Sequence, residues 1–97
     1  MSEFLLSPAA RLDLLGIWEY VARDSVEAAD RVIEKLHSEM RELARQPGLG
    51  HFRRDLADEP LRFWRVYTYL VIYRPETRPL EIARVLSAYR NVKELLR

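Results

Sequence analysis

Two helical patterns that follow one another almost without a gap restrict the fold of this chain more than any other feature of its sequence. The first begins at Ser7-Pro8, because serine is a preferred N-cap and a helix start does not need the N–H that proline lacks. Apolar residues then recur at helical spacing, which predicts a helix over residues 8–23. The second pattern restarts at Asp24, so we expect the two helices to pack side by side as an antiparallel hairpin.

The second helix is predicted to run from an Asp24 cap to a stop at Pro47-Gly48. Asp24-Ser25-Val26-Glu27 has the form of a capping box, in which the side chain of Glu27 reaches back to the N–H of the Asp24 cap. The apolar residues of this helix fall on one stripe: Ala29, Val32, Ile33, Leu36, Met40 and Leu43. Residues 47–60 follow as the one extended loop.

Extended patterns precede and follow the helical hairpin. Residues 4–6 fit a short strand, residues 61–66 and 69–74 fit a β-hairpin turning near Tyr67-Thr68, and residues 80–87 fit a third meander strand. The tail Tyr89–Arg97 fits a last short helix. The order β-α-α-β-β-β predicts a single α+β domain over residues 1–97, with the helical hairpin packed on one face of a small, mainly antiparallel sheet.

The last predicted strand is apolar on both of its faces. Strict alternation places Ile82 and Leu86 on the same face as Arg84, and places Ala83 and Val85 on the other. A domain of this size has one helical hairpin to cover one sheet face, so we expect the second face to stay open. An open apolar face usually marks an interface with a partner.

Composition excludes several classes of site. The chain has no cysteine, which excludes disulfides, thiolate metal ligands and cysteine nucleophiles. Its two histidines, His37 and His51, are far apart in sequence and do not suggest a metal site. No apolar run is long enough to span a bilayer, and the N-terminus lacks the features of a signal peptide. We therefore expect a cytoplasmic protein with no metal and no cofactor.

Charge is divided unevenly along the chain. Residues 1–50 carry six basic and nine acidic side chains, a net charge of −3, whereas residues 51–97 carry ten basic and six acidic side chains, a net charge of +4. Fourteen of the sixteen basic residues are arginine, which suits planar bidentate contacts, although genome composition is an alternative explanation. The second half therefore favours an anionic partner, and charge alone leaves both an acidic protein and a nucleic acid open.

Several short segments of the chain form an ordered set. The first group consists of Leu6-Ser7-Pro8-Ala9-Ala10, Asp13-Leu14, Ile17-Trp18 and Tyr20. The second group consists of Ala28-Ala29, Pro47-Gly48-Leu49-Gly50, Leu61-Arg62, Tyr69–Arg74 and Glu81–Leu86. In their order and spacing, which cover nearly the whole chain, these segments resemble the ParE-type toxins of the RelE/ParE superfamily.

The resemblance implies the toxin component of a bacterial type II toxin–antitoxin system. Such a toxin is neutralised in a hetero-oligomer with a cognate, DNA-binding, ParD-like antitoxin. ParE-type toxins act on DNA gyrase and stabilise its cleaved-DNA state, whereas RelE-type relatives of the same fold cut mRNA on the ribosome. The resemblance implies no membrane partner and no small-molecule substrate.

Gyrase inhibition and mRNA cleavage can be distinguished by the residues that a ribonuclease of this superfamily is expected to have. RelE-type enzymes resemble one another in having an arginine in the middle of the sheet, and an arginine with a tyrosine or histidine near the C-terminus. Here the first position falls at Leu70 and the C-terminal tyrosine position falls near Leu95. The resemblance therefore implies a gyrase inhibitor with no catalytic residues. The alternative is a ribosome-dependent endoribonuclease that uses Arg84, Tyr89 and Arg90.

Two surfaces are predicted to bind protein partners. For the antitoxin we expect contacts in a groove between the helical hairpin and the sheet, made by Leu15, Trp18, Arg62 and Arg74. For gyrase we expect contacts from the basic C-terminal segment, made by Tyr89, Arg90, Lys93 and Arg97. His51 lies beside Phe52-Arg53-Arg54 without an orienting partner in the sequence, so it is predicted to be a surface loop residue.

Overall fold

The helices and strands follow one another in the order that the sequence predicts, with one additional strand. The computed structural model describes residues 3–96. Its elements are β1 (Phe4–Leu6), α1 (Pro8–Ala22), α2 (Val26–Arg45), β2 (His51–Phe52), β3 (Arg62–Val66), β4 (Tyr69–Arg74), β5 (Leu80–Ser87) and α3 (Val92–Leu95). The α+β class and the order of the predicted elements are confirmed, and β2 is an additional strand.

Each long helix starts at a serine. The Ser7 side chain accepts a hydrogen bond from the N–H of Ala10, as the N-cap prediction requires. The predicted Asp24 cap of α2 is wrong, because the Ser25 side chain accepts from the N–H of Ala28 and has the extended backbone of an N-cap. The N–H of Asp24 instead donates to the Val21 carbonyl and closes the last turn of α1.

In the described part of the chain the sheet contains five strands, in the order β1-β5-β4-β3-β2. β1 pairs in parallel with β5, and the other neighbours pair antiparallel. The two residues of β2 pair with Phe63 and Arg62 of β3 and lie inside the segment that was predicted to be loop. A strand of two residues is too short to produce the alternation by which a strand is recognised in a sequence.

A β-bulge in β5 changes which side chains share a face. Ile72 of β4 pairs with Arg84, whereas the next residue, Tyr73, pairs with Ile82, so Ala83 is the extra residue. The prediction that Ile82 shares a face with Arg84 and Leu86 is therefore wrong. One inserted residue reverses the alternation beyond it, because side chains alternate with a period of two.

Apolar side chains are buried on both faces of the sheet. The larger core lies between the helical hairpin and the sheet and includes Leu36, Met40, Tyr73 and Ile82. The smaller core lies on the opposite face, where Val92 and its neighbours in the C-terminal segment cover other apolar residues, including Phe63, Leu70, Ile72 and Leu86. The expectation of an open apolar second face is therefore wrong, because α3 and the turn near Leu56 shield it.

Within residues 3–96, no helix combines the length and the hydropathy that a membrane-spanning segment requires.

Candidate functional site

Asp13 and Arg84 join α1 to β5 through a bidentate ion pair. The Nε and Nη2 atoms of Arg84 lie 2.8 and 2.9 Å from Oδ2 and Oδ1 of Asp13. The same carboxylate accepts the N–H of Val85 at 2.9 Å, and Arg84 Nη1 donates to the Leu95 carbonyl at 3.0 Å. Hydrogen bonding to Asp13 raises the pKa of Arg84 above its ordinary value, against the opposing effect of burial. One side chain thus ties the first helix, the last strand and the C-terminal segment together.

The three residues of the alternative catalytic set differ in their surroundings. Arg84 donates two hydrogen bonds to Asp13 and one to the Leu95 carbonyl, and it lines neither of the two cavities described below. Tyr89 is 78% exposed and lies beside Arg65, whose guanidinium carbon is 5.8 Å from the centre of the tyrosine ring. Arg90 lies at the surface and lines both cavities. The structure thus places Tyr89 and Arg90 near each other and directs Arg84 into an internal ion pair.

The outward side of α1 carries three exposed apolar side chains. Leu12, Leu15 and Tyr20 are 70%, 53% and 68% exposed. At 100° per residue they fall within about 140° of the helix circumference, an arc that also contains the exposed Glu19, and the three are named here the apolar face of α1. Leu15 is a predicted antitoxin contact, whereas Leu12 and Tyr20 were not named in that prediction. The nearly uniform hydropathy of α1 indicates a helix that is covered on more than one side.

A groove of about 590 Å³ separates α1 from β5 beside this face. β1 pairs with β5 only as far as Ile82, so no strand within residues 3–96 lies against the edge of β5 beyond that residue. Ile17, Tyr20 and Tyr69 line the groove together with Ser87. The groove lies at the edge of the layer between helices and sheet, because the middle of that layer is filled by the larger core.

Trp18, Arg62 and Arg74, the other predicted antitoxin contacts, are held by internal partners. The Trp18 Nε1–H donates to Asp30 at 2.9 Å and links α1 to α2. Arg62 Nη1 donates to the Gly50 carbonyl at 2.6 Å, and its guanidinium lies 4.1 Å from the centre of the Phe52 ring. Arg74 pairs with Glu59 and Glu81 at 2.8 and 2.7 Å, and these hydrogen bonds raise its pKa.

A second cavity, of about 480 Å³, opens on the sheet face opposite the helical hairpin. Its lining includes Arg53, Arg65, Arg90 and Lys93, together with His51. None of the lining residues carries a carboxylate. We name this cavity the cationic cleft. The predicted loop position of His51 placed it at the surface, but its grouping with cations from β3 and the C-terminal segment was missed.

The predicted gyrase contacts divide between the two cavities as far as they are described. Tyr89, Arg90 and Lys93 are exposed; Arg90 and Lys93 line the cleft, whereas Tyr89 lines the groove beside α1. Arg97 lies outside the described residues. Among residues 3–96, no group of three or more histidine, aspartate or glutamate side chains is arranged to hold a metal ion.

Comparison with known proteins identifies relatives of the chain. Residues 4–92 match the model of a family described as the ParE toxin of the type II toxin–antitoxin system parDE. A solved structure described as the chromosomal ParDE TA system from P. aeruginosa has a similar fold, with a TM-score of 0.70 and 18% sequence identity. The match covers 89% of this chain and 98% of that one. A search of curated proteins gave no match to the sequence.

Proposed function

This chain belongs to the family of ParE toxins of type II toxin–antitoxin systems, and we propose that it inhibits DNA gyrase and is neutralised by a ParD-like antitoxin. The observation that carries the choice of target is the Asp13–Arg84 ion pair. An endoribonuclease needs a cation at the reacting phosphate and an acid or base at the attacking and leaving oxygens. Arg84, the sheet arginine of that alternative, directs one hydrogen bond from each of its three nitrogens to Asp13 or Leu95.

The antitoxin surface that the geometry favours is the apolar face of α1 with the adjoining groove. An amphipathic antitoxin helix would cover the exposed leucines, and an extended stretch would follow the groove along the open edge of β5. The solved ParDE system of similar fold supports an antitoxin as the partner. Arg62 and Arg74 remain proposed contacts for acidic residues of the antitoxin. Those residues would have to pair with each arginine in addition to its internal partners.

A charge on the apolar face of α1 tests this placement. We expect Leu15→Glu to weaken the complex with the product of the adjacent gene at least tenfold, because the carboxylate would be buried against an apolar partner. Leu15 is 53% exposed, so the free toxin should keep its melting temperature. Affinity is measured by calorimetry and folding by thermal unfolding of the free protein.

The matched control is Val26→Glu, since Val26 is another exposed aliphatic residue, 49% exposed, and it lies outside the apolar face of α1. We expect that variant to bind with unchanged affinity. Equal affinities for the Leu15 and Val26 variants would contradict the proposed docking surface.

The gyrase surface is proposed to be the C-terminal segment that begins at Tyr89. Tyr89→Phe keeps the ring and removes the hydroxyl, so inhibition of gyrase supercoiling should stay within about twofold. A ribonuclease that used this hydroxyl as an acid or base would lose about 100- to 10,000-fold in mRNA cleavage. Both assays are run on the same purified toxin, one with gyrase and one with programmed ribosomes.

The second experiment reverses charges in the C-terminal segment. Deletion of the segment is not used, because it would remove Val92 and Leu95 from the smaller core. Arg90→Glu with Lys93→Glu leaves these apolar contacts in place, and we expect it to abolish inhibition of supercoiling. A wild-type protein that cleaves mRNA, leaves supercoiling untouched and loses cleavage in Tyr89→Phe would overturn the gyrase proposal in favour of the endoribonuclease.

A further inference from the structure

The cationic cleft gathers positive charge from three parts of the chain that are distant in sequence. Arg53 comes from the turn after β2, Arg65 from β3, and Arg90 and Lys93 from the C-terminal segment. Within residues 3–96, the ion pairs leave out Arg65, Arg90 and Lys93. Arg53 does pair, with Asp55, at 2.7 Å. Three cations without an ion pair of their own therefore face one cavity, with Asp55 near enough to Lys93 to interact with it electrostatically. The mutual repulsion of these cations is relieved when an anion enters.

An exposed aromatic ring lies beside this cleft. Tyr89 is 78% exposed, lines the neighbouring groove between α1 and β5, and has the Arg65 guanidinium beside its ring. Cations with an exposed aromatic ring beside them are the arrangement that binds single-stranded nucleic acids, because cations track the phosphates and a base stacks on the ring. An acidic protein segment would use the cations and leave the ring without a role.

We infer that the cationic cleft binds single-stranded DNA, with the backbone phosphates on Arg65, Arg90 and Lys93 and an unpaired base on Tyr89. The inference rests on the proposed function for the choice of DNA over RNA, since gyrase opens and holds DNA. A paired base has both faces covered by its neighbours in the duplex, so stacking on Tyr89 requires a single strand. The toxin thus contacts the nucleic acid held by its target as well as the target protein.

Equilibrium binding without gyrase tests the inference separately from the proposed function. The probe is a fluorescein-labelled oligothymidylate of twelve nucleotides, whose anisotropy is followed at several salt concentrations. We expect Arg65→Gln with Lys93→Gln to weaken binding at least tenfold at low salt. The slope of log K against log salt should fall by about 1.4, because each phosphate contact on a single strand contributes about 0.7.

The matched control removes the same two residue types elsewhere. Arg31→Gln with Lys35→Gln takes one arginine and one lysine from the solvent-exposed side of α2, so net charge changes equally in both double variants. We expect the control to bind within about threefold of wild type. Tyr89→Leu should weaken binding about tenfold and Tyr89→Phe should not, since the phenyl ring still stacks.

Four results would overturn the inference: no binding by the wild type, equal losses in the two double variants, tighter binding of the matching RNA, and tighter binding of a glutamate-rich peptide or of duplex DNA. Supercoiling inhibition is measured on the same proteins. A protein that inhibits supercoiling but does not bind the oligonucleotide would contradict DNA binding by the cleft and leave the proposed function standing. A protein that binds the oligonucleotide but does not inhibit supercoiling would contradict only gyrase as the target.

Discussion

Asp13→Ala is expected to lower the free energy of unfolding by about 3 kcal/mol, among the largest losses for any single substitution outside the apolar cores. The side chains of Arg84 and Asp13 are only 25% and 12% exposed, so the variant would leave a largely buried guanidinium without its counter-charge. It would also leave the N–H of Val85 without its acceptor at the open edge of β5. Urea unfolding followed by circular dichroism gives the free energy.

Two companion variants separate the parts of this effect. Asp13→Asn keeps an oxygen that can accept from Val85, so we expect a smaller loss than in Asp13→Ala. Arg84→Met leaves the Asp13 carboxylate, which is less exposed than Arg84, with the Val85 N–H but without its counter-charge, so we expect a loss similar to that of Asp13→Ala. A loss below about 1 kcal/mol for Asp13→Ala would show that the pair has little influence on stability.

Gly50→Ala is expected to destabilise the fold by about 2–3 kcal/mol through steric overlap. A Cβ at residue 50 would lie 2.6 Å from the Tyr73 hydroxyl oxygen and 3.1 Å from the Phe63 carbonyl oxygen. Tyr73 is completely buried, so its ring has no free space into which to move. The absence of a side chain at Gly50 therefore permits the chain after α2 to approach the sheet.

The Tyr73 hydroxyl explains why this approach is close. It accepts a hydrogen bond from the Gly50 N–H at 2.9 Å and donates one to the Pro47 carbonyl at 2.6 Å. Burial raises the pKa of Tyr73, so the hydroxyl keeps the proton that it donates. Tyr73→Phe should cost about 2 kcal/mol, since it leaves a buried donor and acceptor unpaired.

The double variant Gly50→Ala with Tyr73→Phe lacks the oxygen that is closest to the new methyl group. Its loss of unfolding free energy should be about 1 kcal/mol less than the sum of the two single losses. Additive losses, measured by the same urea unfolding, would mean that the added methyl group is accommodated in another way.

Local signals made most of the fold predictable from the sequence. Ser7-Pro8 fixes the start of α1, and the change from helical to extended spacing after residue 60 separates the hairpin from the meander. The bulge at Ala83 has no such signal, because its neighbours Ile82 and Arg84 fit an uninterrupted alternation equally well. The cap of α2 was misplaced by one residue for a related reason, since aspartate and serine are both good caps.

The candidate sites were less predictable, because their residues meet only in the folded chain. Asp13 and Arg84 are separated by 71 positions, and a lone acid on a helix gives no sign of its partner. The cationic cleft appeared in the sequence only as an excess of positive charge in the second half. Leu15 could be selected because an exposed leucine on an apolar helix is a local pattern, whereas the internal partners of Arg62 and Arg74 depend on tertiary contacts.

The parallel pairing of β1 with β5 has a consequence for synthesis of the toxin on the ribosome. Phe4 pairs with Leu80, so the first strand cannot pair until residues that are translated 76 positions later have been synthesised. Such long-range pairing forms late, after the loops between the two strands have been closed. A nascent chain that ends before residue 80 therefore lacks the strand between β1 and β4, and with it the partner of Asp13. Prematurely terminated products should accordingly be harmless to the cell that makes them.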